Sequence, residues 1–223
     1  MKKILIIQTA FLGDVVLATA LVEKLHDFYP EAQLDFLLRK GNEGLLKDHP
    51  LLHQVRIWNK QEGKYKSLLK LLGQIRSEQY DLVVNVQRFG ATGILTALSG
   101  ARETVGFDKN PFSRFFTRRY KHDVESGTHE VARNHLLISS ITDSTPARPK
   151  LYPSEVDFAK VQELKHEPFI CMAPTSVWFT KQYPQEQWVA LLNSLEAKYK
   201  VYLLGSPADK THCDQIMQHS SNG

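Results

Sequence analysis

The chain has 223 residues, of which 42% are hydrophobic and 23% are charged, and its net charge is +4. This composition excludes a disordered chain and leaves room for one large domain or two small ones. The only two cysteines, Cys171 and Cys213, lie in apolar segments without any ligand spacing. Their placement excludes a disulfide scaffold and a structural zinc site, and it favours a reducing cytoplasm.

The first twenty residues imitate a secretory signal peptide, with a basic start, an apolar run and the small residues 18–20. Gln8, Gly13 and Asp14 interrupt that run, which a strand followed by a turn and a helix explains better. No segment approaches the roughly 20 apolar residues that span a bilayer. We therefore expect a soluble protein that is still able to lie against a membrane.

Buried strands alternate with amphipathic helices in the first half of the chain. The run Ile4 to Ile7 is apolar at every position, as is typical of a parallel strand that is buried on both faces, and strands are predicted within residues 2–9, 34–38, 55–58, 82–86 and 104–107. Helical spacing predicts two buried helix faces, one of Leu17, Leu21, Leu25 and Phe28 before Pro30, the other of Leu68, Leu71, Leu72 and Ile75. This order predicts a doubly wound α/β sheet that binds ligands at the carboxyl ends of its strands.

A second unit follows a linker. Residues 142–153 are rich in Asp, Ser, Thr and Pro, as linkers are. Strands at 169–172 and 201–204 then flank a helix whose predicted face holds Trp188, Leu191, Leu192 and Leu195. We expect two Rossmann-like domains, residues 1–154 and 155–223. The second has only two strands, too few to bury a core of its own.

The turn from Gln8 to Asp14 leaves the first strand where open α/β sheets bind ligands. It lacks the GxGxxG pattern that cradles a dinucleotide pyrophosphate. Gly13 would allow close backbone approach or a positive φ angle. Asp14 opens the helix and has two interpretations: an N-cap of the helix, or a general base that takes a proton from an acceptor hydroxyl.

The turn from Ala173 to Pro184 leaves the first strand of the second unit in the same way. Thr175, Ser176 and Thr180 offer hydroxyls. Lys181 offers a mobile positive charge suited to a phosphate. The segment is either a phosphate site or an ordinary surface loop with one lysine.

A basic stretch runs from Lys109 to Lys121 and contains Arg114, Arg118 and Arg119 but no acidic residue. Such a stretch is either a solvated face or a site for an anion such as phosphate, a lipid headgroup or nucleic acid. Composition does not choose among these alternatives.

Four segments, in order along the whole chain, resemble the heptosyltransferase family, glycosyltransferase family 9: residues 3–16, 128–134, 176–184 with Trp188 after them, and 203–209. The resemblance implies a GT-B-like fold of two facing Rossmann-like domains, the first binding the acceptor and the second a nucleotide-sugar. It implies inverting, metal-independent heptose transfer without a cofactor, from an ADP-heptose-type donor to a lipopolysaccharide-core-type glycolipid acceptor. The place of action would be cytoplasmic, at the inner face of the inner membrane, and no nucleic-acid partner is expected.

The resemblance also implies roles for individual residues. Asp14 would be the catalytic base, and the donor would contact Thr175, Ser176, Lys181 and Gly205. We expect the acceptor to meet Gly13, Arg114, Arg118 and Arg119. Because the family's later glycine-rich donor loop is not found before Gly223, we expect this chain to be inactive alone. Phe11-Leu12 replaces the smaller or Met-containing turn of some members, which bears on the acceptor that fits.

Two other functions stay open. A nicotinamide-dependent oxidoreductase on the same fold is disfavoured by the missing GxGxxG after the first strand. A non-catalytic basic module for anionic lipid or nucleic acid would use the basic stretch, but the sequence lacks an RRM signature or a recognition-helix motif.

Overall fold

The computed structural model describes residues 2–60, 63–196 and 198–220, without the side chains of Lys64 and Tyr65. The chain divides into two compact units, Met1–Tyr152 and Pro153–Gly223. Residues 145–154, around this division, have no regular secondary structure.

The first unit is a parallel sheet with helices on both faces. Its strands are β1 Lys3–Ile7, β2 Gln33–Arg39, β3 Gln54–Trp58, β4 Leu82–Asn85, β5 Glu103–Phe107 and β6 Arg118–Tyr120. Its helices are α1 Leu12–Phe28, α2 Lys64–Glu78, α3 Gly90–Ala97 and α4 Glu130–His135. The strand order is β3-β2-β1-β4-β5-β6, and every neighbouring pair is parallel. The chain adds β2 and β3 on one side of β1 and then β4, β5 and β6 on the other side. Folds of this type bind a ligand at the carboxyl ends of the two strands where the order changes, here β1 and β4.

Two apolar clusters cover the two faces of this sheet. Successive strand residues point to opposite faces, so Ile4 and Ile6 join one cluster while Leu5 and Ile7 join the other. The first cluster packs α1 against the sheet, and the second packs α2 and α3. This double burial explains the uninterrupted apolar runs of the sequence, and all four residues predicted for the inner face of α2 are buried.

Helix α1 differs from its prediction in both its start and its face. It begins at Leu12 instead of Asp14. Phe28, predicted to be buried, is 41% exposed, and Leu17 is half-buried. The buried stripe is centred about a quarter-turn away and holds Val15, Ala18, Leu21, Val22 and Leu25. Leu17 and Phe28 lie at its margin, where the sheet no longer covers the helix.

Strand β6 was not predicted, since its three residues fall in the basic stretch and carry no apolar run. Two reciprocal hydrogen bonds between Thr104 and Thr117 hold the residue before β6 beside β5. The backbone N–H of each donates to the hydroxyl of the other at 3.0 Å. The strand therefore owes its position to a pairing between distant residues and not to local pattern.

The second unit has the parallel strands β7 Phe169–Met172 and β8 Lys200–Leu203, as predicted. Its helices are α5 Glu155–Gln162, α6 Gln185–Ser194 and α7 Lys210–His219. Burial is slight: in the part of this unit that the structure describes, only Pro174, Leu192 and Ile216 are buried. Of the predicted face of α6, Leu192 is buried, Trp188 and Leu195 are half-buried and Leu191 is exposed, because two strands cover too little of the helix.

Cys171 and Cys213 are both free thiols. No helix within residues 2–60, 63–196 and 198–220 is long and apolar enough to cross a membrane.

Candidate functional site

Asp14 lies at the carboxyl end of β1, beside the point where the strand order reverses, and is the third residue of α1. Its Oδ2 accepts the backbone N–H of Phe11 at 3.1 Å. Phe11 is the N-cap residue, and its side chain has no acceptor atom. Asp14 therefore caps α1 from within the first turn of the helix. The N-cap residue is Phe11, so the interpretation of Asp14 as the N-cap residue is wrong. Among the described residues no hydrogen bond engages its Oδ1, so one oxygen is structural while the other is open to a ligand.

Gly13 has a helical backbone. Among the glycines that the structure describes, φ is positive at Gly41, Gly63, Gly100 and Gly127, so of the two alternatives for Gly13 the positive φ is wrong. A Cβ placed on Gly13 would meet nothing within 4 Å. The first turn of α1 therefore faces open space, as close approach of a ligand to the backbone requires.

Side-chain amides join the turns that follow β1 and β4. Gln8 Oε1 accepts the backbone N–H of Ala10 at 3.2 Å and also a bond from Gln87 Nε2. Asn85 Oδ1 accepts the backbone N–H of Gln87 at 2.9 Å, and Asn110 Nδ2 donates to the Gln87 carbonyl at 2.9 Å. The Nδ2 of Asn85 and the Oε1 of Gln87 are buried and have no hydrogen-bond partner among the described residues.

The turn before Asp14 is also held from the β2 side. Asn42 Nδ2 donates to the Ala10 carbonyl at 3.0 Å, and the Arg39 guanidinium lies 4.6 Å from the centre of the Phe11 ring. Sequence reasoning missed this framework. The available signal was polar residues directly after buried apolar strands.

The arginines of the basic stretch differ in their partners. Arg118 forms an ion pair with Glu103 and donates to the Ser140 hydroxyl at 2.7 Å. Arg114 lies over the Phe115 ring at 4.7 Å, and Arg119 is exposed. The three arginines thus have different surroundings, and Arg118 and Arg119, as successive residues of β6, point to opposite faces of the sheet.

A second basic group, missed in the sequence, surrounds His122, which follows β6. Burial, and then the positive charges of Arg133, Lys109 and Arg88, hold the pKa of His122 below its usual range. Its Nδ1 is buried and has no hydrogen-bond partner in the part of the chain that the structure describes, and its backbone N–H donates to Asp108 Oδ1 at 2.9 Å. Arg133 forms an ion pair with Glu130, and Asp108 acts on His122 in the opposite sense, so acidic residues offset part of this positive charge.

In the second unit, a cleft of about 490 Å³ opens beyond the carboxyl ends of β7 and β8. Two predicted residues, Thr175 and Ser176, line it, together with Gln182 and His212, which the sequence did not single out. Lys181 belongs to the short 3-10 helix Phe179–Lys181 and is exposed, but it is not part of the cleft wall. Its long side chain leaves it mobile beside Gln182.

Asp209 ties the turn after β8 to the turn after β7. Its Oδ2 accepts the Ser206 backbone N–H at 2.7 Å and the Ser206 hydroxyl at 2.6 Å. These bonds, and one from the hydroxyl of Thr175, hold the pKa of the Asp209 carboxyl below its usual range. A Cβ on Gly205 would lie 2.9 Å from the Asp209 Cβ, so Gly205 permits this close packing. We find Gly205 beside the cleft but not in its wall.

Comparison with known proteins matches residues 68–222 to the model of "Glycosyltransferase family 9 (heptosyltransferase)". Lipopolysaccharide heptosyltransferase 3 of Escherichia coli is 26% identical over 88% of this chain, which spans 62% of that relative's length. Two solved structures share the fold. The family 9 glycosyltransferase of Veillonella parvula has a TM-score of 0.87 at 18% identity, covering 99% of this chain and 67% of its own.

The E. coli ADP-heptose lipopolysaccharide heptosyltransferase II has a TM-score of 0.81 at 20% identity, covering 98% of this chain and 68% of its own. These likenesses confirm the expected GT-B-like α/β fold of parallel sheets flanked by helices. Together with the family match over more than half of its residues, they establish that the chain belongs to glycosyltransferase family 9, the heptosyltransferases.

Proposed function

We propose that the protein is an inverting heptosyltransferase that moves a heptose, or a similar sugar, from an ADP-sugar to a lipopolysaccharide-core-type glycolipid. The first unit would hold the acceptor and the second the donor. The proposal rests on the family match and on the Asp14 carboxylate, which lies where the strand order changes between β1 and β4. Its Oδ1 accepts no hydrogen bond among the described residues. The reaction would take place in the cytoplasm, at the inner face of the inner membrane.

The cleft of the second unit is the proposed donor site. Its hydroxyls, Thr175 and Ser176, suit the oxygens of a diphosphate, and Lys181 is near enough along the chain to reach over the cleft. The similar E. coli enzyme is described as an ADP-heptose enzyme, which supports ADP-heptose as the donor type. Gly205 contributes indirectly, by letting Asp209 hold Thr175.

The proposed step is a single displacement. The acceptor hydroxyl oxygen forms a bond to the anomeric carbon while the bond from that carbon to the diphosphate oxygen breaks. Asp14 Oδ1 takes the hydroxyl proton, and the electron pair of the broken bond leaves with the diphosphate. Lys181 offsets the negative charge that develops there. Attack from the opposite side inverts the configuration of the sugar.

The acceptor is proposed to lie along the carboxyl edge of the first unit's sheet. Open space above Gly13 admits it to Asp14. Arg114 and Arg119 have no carboxylate partner within the described residues, so they remain candidates for its acidic groups, whereas Arg118 is already neutralised by Glu103. The positive charges of Lys109 and Arg88 near His122 are further candidates.

Ligand binding and product analysis test the proposal. Thermal shift and calorimetry on this chain should show stabilisation by ADP or an ADP-sugar, and none by NAD or nucleic acid. In an active form of the enzyme, NMR of the product should show an anomeric configuration opposite to that of the donor. Stabilisation by NAD alone would support the oxidoreductase instead. Retention of configuration would exclude the single displacement.

A further inference from the structure

The cleft of the second unit has one side chain in its wall that is able to become a cation. None of the described residues that line this space of about 490 Å³ is a lysine or an arginine, and His212 is the only histidine among them. Lys181 belongs to the neighbouring 3-10 helix and lies outside the wall. A diphosphate is an anion, so among the side chains of the described wall only a protonated His212 can offset its charge.

His212 lies beside Asp209. The two residues are three positions apart where the 3-10 helix Pro207–Asp209 continues into α7, so their side chains are neighbours on one face. Both line the cleft, and His212 is half-buried there. Hydrogen bonds from Ser206 first, then one from Thr175 and the charge of His212, lower the pKa of the Asp209 carboxyl. The charges of Asp209 and His212 therefore act on each other over a short distance.

A proton on His212 changes the net charge of the cleft wall. Because its pKa is lowered, Asp209 stays ionised at neutral pH and repels an anionic ligand as long as His212 is neutral. Protonation of His212 cancels that negative charge and gives the ring a second N–H donor. A hydrogen bond from an imidazolium to a phosphate oxygen is roughly twice as strong as one between neutral groups. A diphosphate should therefore bind best when His212 is protonated.

The groups around His212 do not supply a similar change of charge near neutral pH. Lys210 Nζ pairs with Asp214 Oδ2 at 2.7 Å. Burial first, and then the charges of Asp209 and Asp214, raise the pKa of the Cys213 thiol. Lysine, tyrosine and carboxylate side chains ordinarily titrate well outside the range from about pH 6 to pH 8, whereas histidine titrates within it. The titratable side chains in the described wall and next to it are Asp209, Tyr183, Lys210, Cys213, Asp214, Lys181 and Glu186.

We propose that the cleft binds the diphosphate of a nucleotide-sugar together with a proton on His212. This inference rests on the proposed donor site and adds to it that donor affinity depends on pH through one residue. The imidazolium donates to a phosphate oxygen and offsets Asp209 inside the wall, while Lys181 acts from outside it. Since the ligand prefers the protonated ring, its affinity rises as pH falls, and the bound ligand raises the affinity of His212 for its proton by the same factor.

Calorimetry with ADP-heptose at pH 6 and pH 8 tests the proposal without a transfer assay. Both phosphates of ADP-heptose are esterified, so the ligand itself takes up no proton, unlike the terminal phosphate of ADP, which titrates at about pH 6. The unaltered protein should bind about fivefold more tightly at pH 6 than at pH 8. His212→Gln should bind equally at both. Lys181→Ala should lose affinity by the same factor at both, because lysine stays charged.

Two histidines of the same unit supply matched controls. His219 is exposed at the end of α7, and its Nδ1 lies 2.7 Å from the Gln215 carbonyl oxygen. His166 is exposed after the 3-10 helix Glu163–Lys165. His219→Gln and His166→Gln should keep the full pH dependence of the unaltered protein.

NMR of the histidine rings gives a second readout, in the unaltered protein. The resonance that His212→Gln removes identifies His212. Its titration midpoint should rise by about one pH unit when ADP-heptose is saturating, while the midpoints of His166 and His219 stay in place. This measurement decides the matter even if the His212 variant is less stable.

The results that would overturn the proposal differ from those that would overturn the donor site. ADP-heptose binding of equal strength at both pH values, with an unmoved His212 midpoint, would remove His212 from the site and leave the donor site intact. So would a His212→Gln protein that keeps the pH dependence. Absence of ADP-heptose binding at both pH values would overturn the donor site and this inference together.

Discussion

Asp14 and Phe11 share one hydrogen bond, from the Phe11 backbone N–H to Oδ2 of the Asp14 carboxylate, at 3.1 Å. The bond orients the carboxylate at the mouth of the sheet and leaves Oδ1 free to act. Capping and proton abstraction, which the sequence offers as alternatives, are compatible roles for the two oxygens of one side chain. Substitution can separate them.

Asp14→Asn should preserve the fold and abolish most of the transfer. The amide oxygen of asparagine still accepts the Phe11 N–H, so the melting temperature should hardly change. Turnover in an active form of the enzyme should fall at least about a hundredfold, because the amide cannot take a proton. Donor affinity should stay the same. If turnover is kept, Asp14 serves only the helix; Asp14→Ala, which removes the cap as well, should cost about 1 kcal/mol of stability.

Lys181→Ala should weaken ADP binding by about tenfold, since one charge-assisted contact to the diphosphate is lost. Calorimetry with ADP measures this directly. Lys198→Ala is the control, because Lys198 is in the same unit and pairs with the exposed Glu196. Equal ADP affinity in the Lys181 and Lys198 variants would remove Lys181 from the donor site.

Two glycine substitutions should have opposite consequences. Gly205→Ala should destabilise the second unit by about 1–3 kcal/mol, because the added carbon would stand 2.9 Å from the Asp209 Cβ. Gly13→Ala meets no neighbour and should leave stability unchanged or slightly raised, while raising the acceptor KM. Thermal melts and acceptor kinetics check the pair. An unchanged KM in the Gly13 variant would argue against acceptor contact at that turn.

Charge at the basic stretch should affect the acceptor and not the donor. Arg119→Glu should raise the acceptor KM, with the ADP Kd unchanged, because Arg119 is exposed and its charge is unpaired among the described residues. Arg118→Glu should raise the acceptor KM less and lower the melting temperature, since it would face Glu103. A solvated face with no ligand predicts no kinetic change from either substitution.

Acid should destabilise the first unit through His49, whose side chain is 1% exposed. Burial first, and then the charge of Lys150, lower its pKa from 6.5 to about 4. Glu23 lies 3.8 Å away but is engaged by the Tyr152 hydroxyl at 3.0 and 3.1 Å. Because the unfolded state then binds more protons between about pH 6.5 and pH 4, the free energy of unfolding falls as pH decreases through that range.

The size of this effect can be isolated by substitution. At pH 5.5 the loss attributable to His49, relative to pH 7.5, should be about 1 kcal/mol. Urea unfolding of the unaltered protein and of His49→Gln at both pH values gives the difference. Parallel pH dependence in the two proteins would show that His49 does not stay neutral in the fold.

The strands of the first unit could be predicted because they are buried on both faces, which forces runs such as Ile4 to Ile7. Strand β6 could not, because its position depends on Thr104 and Thr117 finding each other. Asp14 could be chosen as a candidate site residue because it follows the first strand. That one of its oxygens accepts the Phe11 N–H while the other has no partner among the described residues could not be predicted, because it follows from where the helix starts.

The bond between Gln8 and Gln87 also bears on the order in which the protein folds. It spans 79 positions of the chain and joins the turn before Asp14 to the turn after β4. Local contacts form quickly, whereas contacts of large sequence separation wait for loop closure. A partly folded chain that has paired β1 only with β2 would already possess Asp14 and its helix, yet would lack one wall of the site. The candidate site should therefore be complete only with the central β1–β4 pairing, later than most of the secondary structure.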